Sequence, residues 1–151
     1  MTSSVKKHRL GLAGEYGVCS ELSKREYDVS LTFGNAKAVD IFVHLPDGFY
    51  RRIEVKTTTT EKFVTGFFQK YYDKNKGNHP DYWVLVYIDA KKVSHYYILS
   101  HQEMGKVQMK VNGMTTWKQI KGCDNVKRAL VAAYENKWSK IGSSSTLNPK
   151  P

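Results

Sequence analysis

Asp40, Glu54 and Lys56 are the residues of this chain whose types and spacing best suit chemistry on a charged substrate. They lie in a stretch, Ala38 to Thr57, that reads AVDIFVHLPDGFYRRIEVKT. Val39, Ile41, Val43 and Leu45 alternate with Asp40, Phe42 and His44, the period of a half-buried strand. Pro46-Asp47-Gly48 then supplies turn chemistry, and on the return strand Ile53 and Val55 alternate with Glu54 and Lys56. A hairpin folded about Asp47 places Asp40 opposite Glu54, with Cβ atoms about 4.5–5.5 Å apart. Two carboxylates that close repel unless positive charge lies between them. Lys56, two residues further along the same face, supplies one charge. A divalent cation held by carboxylate oxygens would supply more.

Other parts of the chain carry similar letters without this context. Asp89-Ala-Lys91 and Glu135-Asn-Lys137 repeat the acid-x-Lys spacing, but neither follows a hairpin with an Asp on its first strand. Asp47 precedes Glu54 by seven residues, which in extended strand is roughly 20 Å and too far for one metal to bridge. Asp47 is therefore assigned to the turn. Pro80-Asp81 comes after Glu54 and is in the wrong order.

Asp40, followed after a hairpin by Glu54-Val55-Lys56, resembles the PD-(D/E)XK nuclease superfamily. Upstream, Gly14-Glu15, Val18 and Leu22, then Tyr27-Asp28-Val29, are similar to the N-terminal helix and first strand of its small members. Val39 stands where the literal Pro of the signature would be. The resemblance covers about the first 60 residues well and the rest loosely. It implies an α/β fold, a mixed central β-sheet flanked by helices with a restriction-endonuclease-like core. It also implies Mg²⁺, with Mn²⁺ as a substitute, held by Asp40, Glu54 and the main-chain carbonyl of Val55. Lys56 would orient the attacking water or stabilise charge on the phosphate, and Glu15 would approach the metal or its water. The implied substrate is DNA. Some members carry Gln-x-x-x-Tyr on the helix after this strand; here Gln69 is followed by Tyr72, one residue short, and Asp73 takes the matching place.

The bulk composition agrees with a nucleic-acid partner. The 151 residues carry 24 Lys and Arg against 14 Asp and Glu, a net charge of +10. Such an excess favours a polyanion, nucleic acid before an anionic membrane surface. No segment approaches 18 apolar residues, and the N-terminus has no run fit for a signal peptide, so a soluble, cytoplasmic protein without membrane association is expected. Cys19 and Cys123 are too few and too far apart for a disulfide framework or a zinc site.

One domain is expected, between a flexible basic N-terminus at 1–9, whose Lys6, Lys7, His8 and Arg9 could alternatively form an arm on phosphates, and a disordered Ser/Pro-rich tail at 142–151. Residues 10–26 predict an amphipathic helix with Leu12, Tyr16, Cys19 and Leu22 on its apolar stripe. Tyr27–Phe33 reads as a strand, and Gly34-Asn35 as a turn. Glu61–Gly77 could form a helix with Phe63, Phe67, Phe68, Tyr71 and Tyr72 on one side. Its Lys62, Lys70, Lys74 and Lys76, with Gln69, are candidate nucleic-acid contacts, because lysines can neutralise phosphates while aromatics stack on bases. Core packing is the alternative reading of those aromatics. Asp81–Asp89 is a near-continuous apolar run suited to a strand buried on both faces. Ser94–Leu99 is a further strand, and Ser100 to Glu103 has capping-box spacing for a short helix. Asn112-Gly113 suits a hairpin turn. Asp124–Lys140 predicts a last helix packed on the sheet.

Three function classes follow. The first is a metal-dependent DNA endonuclease, with homing, restriction, junction-resolving and repair roles all open. The second is a catalytically silent nucleic-acid-binding module of the same fold, against which the intact Asp40, Glu54 and Lys56 argue. The third is an interaction domain whose positive surface aids solubility. Cutting both strands of a duplex would favour a homo-oligomer with two sites.

Overall fold

The computed structural model of the chain describes residues 2–32, 39–67, 79–111 and 125–143. Helix α1 (Ser3–Lys24) is followed by β1 (Asp28–Leu31), β2 (Ile41–His44) and β3 (Tyr50–Thr58). After a short β4 (Lys62–Val64) come β5 (Tyr82–Ile88), β6 (Ser94–Ser100), α2 (His101–Val111) and β7 (Asn125–Lys127). Two 3₁₀ segments, Arg128–Tyr134 and Trp138–Lys140, close the described chain.

The main sheet has the order β1-β2-β3-β5-β6, and β4 pairs with β7 in a small second sheet. Within the main sheet β3 and β5 run parallel while the other neighbours are antiparallel. The sheet is therefore mixed, with helices beside it, as the family resemblance implies.

Each face of the sheet buries its own core. Val18 and Leu22 of α1 pack against Ile41, Val43, Ile53, Val55, Val84 and Ile98, and Trp138 and Ile141 close this core. On the opposite face Trp83, Leu85 and Leu99 pack with Phe63, Phe67, Met104, Val107, Val126 and Val131. Strand β5 feeds both cores, and Tyr82 to Val86 are all buried. This is why its sequence reads as a continuous apolar run rather than an alternation. Burying each such side chain stabilises the fold by roughly 1.5–3 kcal/mol.

Three elements depart from the sequence reading. Helix α1 starts at Ser3, with the Thr2 hydroxyl accepting from the Val5 N–H, so residues 3–9 are helical rather than a flexible arm. Its buried face is Gly14, Val18 and Leu22, while Tyr16 is 55% exposed. Glycine lets the helix approach β3 closely, and that contact rotates the buried stripe away from Tyr16. A Cβ on Gly14 would lie 1.8 Å from the Thr57 Oγ1.

The stretch from Lys62 to Val64 is a strand, not the start of a helix, and Gly66 has φ +59°. Phe63 and Phe67 still enter the core, as the packing alternative expected. The C-terminal segment forms β7 and 3₁₀ turns instead of one α-helix. Tyr97 bridges to Glu135, the Asn136 N–H donates to the Tyr96 carbonyl, and Asn136 turns at φ 55°. Pairing with β6 thus overrides a helical spacing of apolar residues.

The capping box at the start of α2 forms as expected. The Ser100 N–H donates to Glu103 Oε2 at 2.8 Å, and the Glu103 N–H donates to Ser100 Oγ at 3.1 Å. The turns expected at Gly34-Asn35 and Asn112-Gly113, Cys123, and residues 144–151 of the tail lie outside the described residues.

Candidate active site

The site is set by the β2–β3 turn. The Leu45 N–H donates to the Phe49 carbonyl at 2.8 Å, and the Gly48 N–H donates to the Leu45 carbonyl at 3.0 Å. Gly48 supplies the required φ of +83°. The Asp47 carboxylate accepts from the Phe49 N–H at 3.1 Å, so this acid is spent on the turn. The resulting register pairs Ile41 with Ile53, Phe42 with Arg52 and His44 with Tyr50.

One step further, Asp40 faces Glu54. The ladder continues there through the Asp40 N–H, which donates to the Ile53 carbonyl at 2.9 Å. The next donor, the Val55 N–H, is taken by Asp40 Oδ2 at 2.7 Å. The carboxylate of Asp40 therefore sits just before β2 begins, held beside the main chain of β3 at Val55.

On the face away from α1 lie Glu54 and Lys56. Glu54 is 3% exposed, and its Oε1 meets Lys56 Nζ at 2.7 Å. Lys56 is partly exposed. At its Glu54 end this ion pair lies in a buried environment. From the other face, α1 brings Glu15. Burial raises its carboxyl above the ordinary range, Asp40 and then Glu54 raise it further, and Lys56 pulls the other way. Glu15, Asp40 and Glu54 thus share one electrostatic site with Lys56. Three carboxyl groups meet one ammonium.

Among the described residues, no group of three or more His, Cys, Asp or Glu side chains closes around a point as a ready-made metal cage. The site opens into a groove of about 600 Å³ between α1 and the start of β2. Ser4, Lys7, His8, Gly11, Leu12, Glu15 and Tyr16 form its helical wall, with Thr32 and Asp40 opposite. The sequence places Lys7 and His8 in a basic N-terminus that could act as an arm on phosphates; here they stand on the helix that carries Glu15. Positions 7, 11 and 15, and 4, 8, 11 and 15, recur at helical spacing and lead to Glu15.

The other expected nucleic-acid contacts are placed as follows. Lys62 is exposed on β4, across from Lys127 of β7. Gln69, Lys70, Lys74 and Lys76 lie outside the described residues. Asp81, the acid of the second Pro-Asp pair, accepts from the Arg52 N–H at 2.7 Å and from the Arg52 guanidinium at 3.4 Å. It ties the start of β5 to β3.

This chain has the fold of a bacterial homing endonuclease. The solved structure of that protein, I-Ssp6803I, superposes with a TM-score of 0.52 over 93% of this chain and 92% of its own, at 16% sequence identity. No family model matches the chain, and no curated protein matches it in sequence. Among the described residues, no helix is long and apolar enough to cross a membrane.

Proposed function

We propose that this chain is a metal-dependent endonuclease of the PD-(D/E)XK kind, hydrolysing phosphodiester bonds in DNA. The observation that carries this reading is the convergence of Asp40 and Glu54 from adjacent strands, with Lys56 bound to Glu54. The endonuclease fold and the net charge of +10 support it.

A divalent cation fits the donor set. Three carboxyl groups against one ammonium leave a local excess of negative charge. Mg²⁺ commonly takes one or two carboxylates and fills its remaining positions with waters and substrate phosphate, so a closed protein cage is not required. Asp40, Glu54 and the Val55 carbonyl would hold it, and it would lower the pKa of bound water and neutralise charge on the phosphate. The protein's own groups supply positioning. The Val55 N–H fixes the Asp40 carboxylate, and Glu54 fixes Lys56. The Lys56 ammonium then offers its remaining donors to a phosphate oxygen or to the attacking water. One such site cuts one strand at a time, so cutting a duplex through in one encounter would favour two copies of the chain.

The test is cleavage of duplex, single-stranded, nicked and four-way-junction DNA with Mg²⁺, Mn²⁺ or EDTA, beside the Glu54→Ala variant. Metal-dependent cutting that the variant loses is the expected result. Salt-sensitive binding without cutting on any substrate would instead favour a silent binding module.

A further inference from the structure

Helix α1 is longer than the fold needs. Its 22 residues span about 33 Å, yet every residue from Thr2 to Arg9 is exposed and none of them packs into either core. This overhanging part carries Lys6, Lys7, His8 and Arg9 in succession, and no acidic residue occurs before Glu15. Cations near a helix N-terminus oppose the helix dipole, so this arrangement gains nothing for the helix itself.

The groove gives it a use. Lys7 and His8 line the same channel as Glu15 and Asp40, and so does the exposed ring of Tyr16. Lys7 is eight residues from Glu15, about 12 Å along the helix. Phosphates of one DNA strand advance about 3.4 Å each along the duplex axis, so this distance spans about three nucleotides.

We infer that the N-terminal half of α1 is the wall that holds the DNA strand beside the scissile bond. Lys7 and His8 contact backbone phosphates about three nucleotides from the cut, and Tyr16 packs against a base next to it. This assignment rests on the nuclease reading and extends it with a path for the strand. The lysines of the 62–76 segment are not needed for it.

The test separates the two ideas by measuring binding and cutting independently. Binding of labelled duplex DNA to the full chain is followed in EDTA over a salt series, for wild type, Lys7→Gln, Tyr16→Ala and the charge-matched Lys91→Gln. Lys91 is exposed in the turn between β5 and β6 and does not line the groove. Thermal melts confirm folding of each variant. Lys7→Gln should weaken binding and lower the slope of log affinity against log salt by about 1. With the same strand supplied single-stranded, where a base exposes its face to the ring, Tyr16→Ala should weaken binding at least about fivefold. Lys91→Gln should leave affinity unchanged.

If Lys7→Gln and Tyr16→Ala bind as wild type does, the groove assignment is wrong, even where the wild type cuts DNA in Mg²⁺. If both lose binding and no metal supports cutting, the groove stands as a DNA-binding wall with no scissile bond beside it, and the nuclease reading falls. Equal losses in Lys7→Gln and Lys91→Gln would reduce the effect to net charge and overturn the assignment. So would a wild-type chain that binds no DNA.

Discussion

Gly14→Ala should destabilise the protein even though alanine is the better helix former. A methyl at this position would meet Thr57 Oγ1 at 1.8 Å, Thr57 Cβ at 3.0 Å and Thr57 Cγ2 at 3.1 Å. Carbon atoms in good contact sit about 3.5–4.0 Å apart, so something must move by well over 1 Å. Thr57 cannot give way easily. It is β-branched and paired in register with Val86 in the middle of the sheet. Overpacking costs about 1–3 kcal/mol, and an overlap this deep belongs near the upper end. Alanine recovers about 1 kcal/mol of helix propensity, leaving a net loss of about 2 kcal/mol. For a chain of this size, that is a fall in Tm of about 4–8 °C. Denaturant unfolding of wild type, Gly14→Ala, Thr57→Ala and the double variant gives the cycle, with a coupling of about 1 kcal/mol or more expected between the two sites. The helix displaced by the methyl also carries Glu15, so cleavage should fall with it. If Gly14→Ala is as stable as wild type, or more stable by the helix-propensity gain, the close contact does not set the position of α1.

Asp40→Ala should abolish cleavage while leaving duplex binding in EDTA close to wild type; cutting at the wild-type rate would remove Asp40 from the site. Lys56→Ala should retain metal binding, measured by calorimetry, and lose turnover, whereas loss of metal binding would point to a collapsed hairpin. Phe63→Ala should cost about 3–5 kcal/mol in denaturant unfolding, because Phe63 is 1% exposed in the second core. Glu103 gives a pH signature. Burial raises its carboxyl, but hydrogen bonds from Lys140 and from the Ser100 N–H outweigh that and hold it below the ordinary value. A carboxyl lowered in the folded state contributes stability above its unfolded pKa, near 4.5, and loses it as pH falls through the folded value. Glu103→Gln should therefore be less stable than wild type at pH 7, with the gap closing on acidification below about pH 4.5; a gap that stays constant down to pH 2 would refute the linkage.

The hairpin and its register were determined by the sequence alone. Alternation fixed which residues share a face, the Pro-Asp-Gly turn fixed the folding point, and together they placed Asp40 across from Glu54. Strand β5 and the capping box of α2 were legible for the same reason: each is specified by neighbours within a few residues. What lay beyond the sequence depended on partners far along the chain. The buried stripe of α1 turned on the approach of Gly14 to Thr57, a contact between residues 43 positions apart. The segment around Phe63 became a strand because β7 pairs with it, and the final apolar spacing became 3₁₀ turns because β6 captures Glu135 and Asn136. The groove needed tertiary structure in the same way. Strand pairing could set Asp40 beside Glu54, and the family resemblance could name Glu15. Only the packing of α1 against β3 brings Glu15 to that pair, because the helix and the hairpin meet through residues distant in the chain.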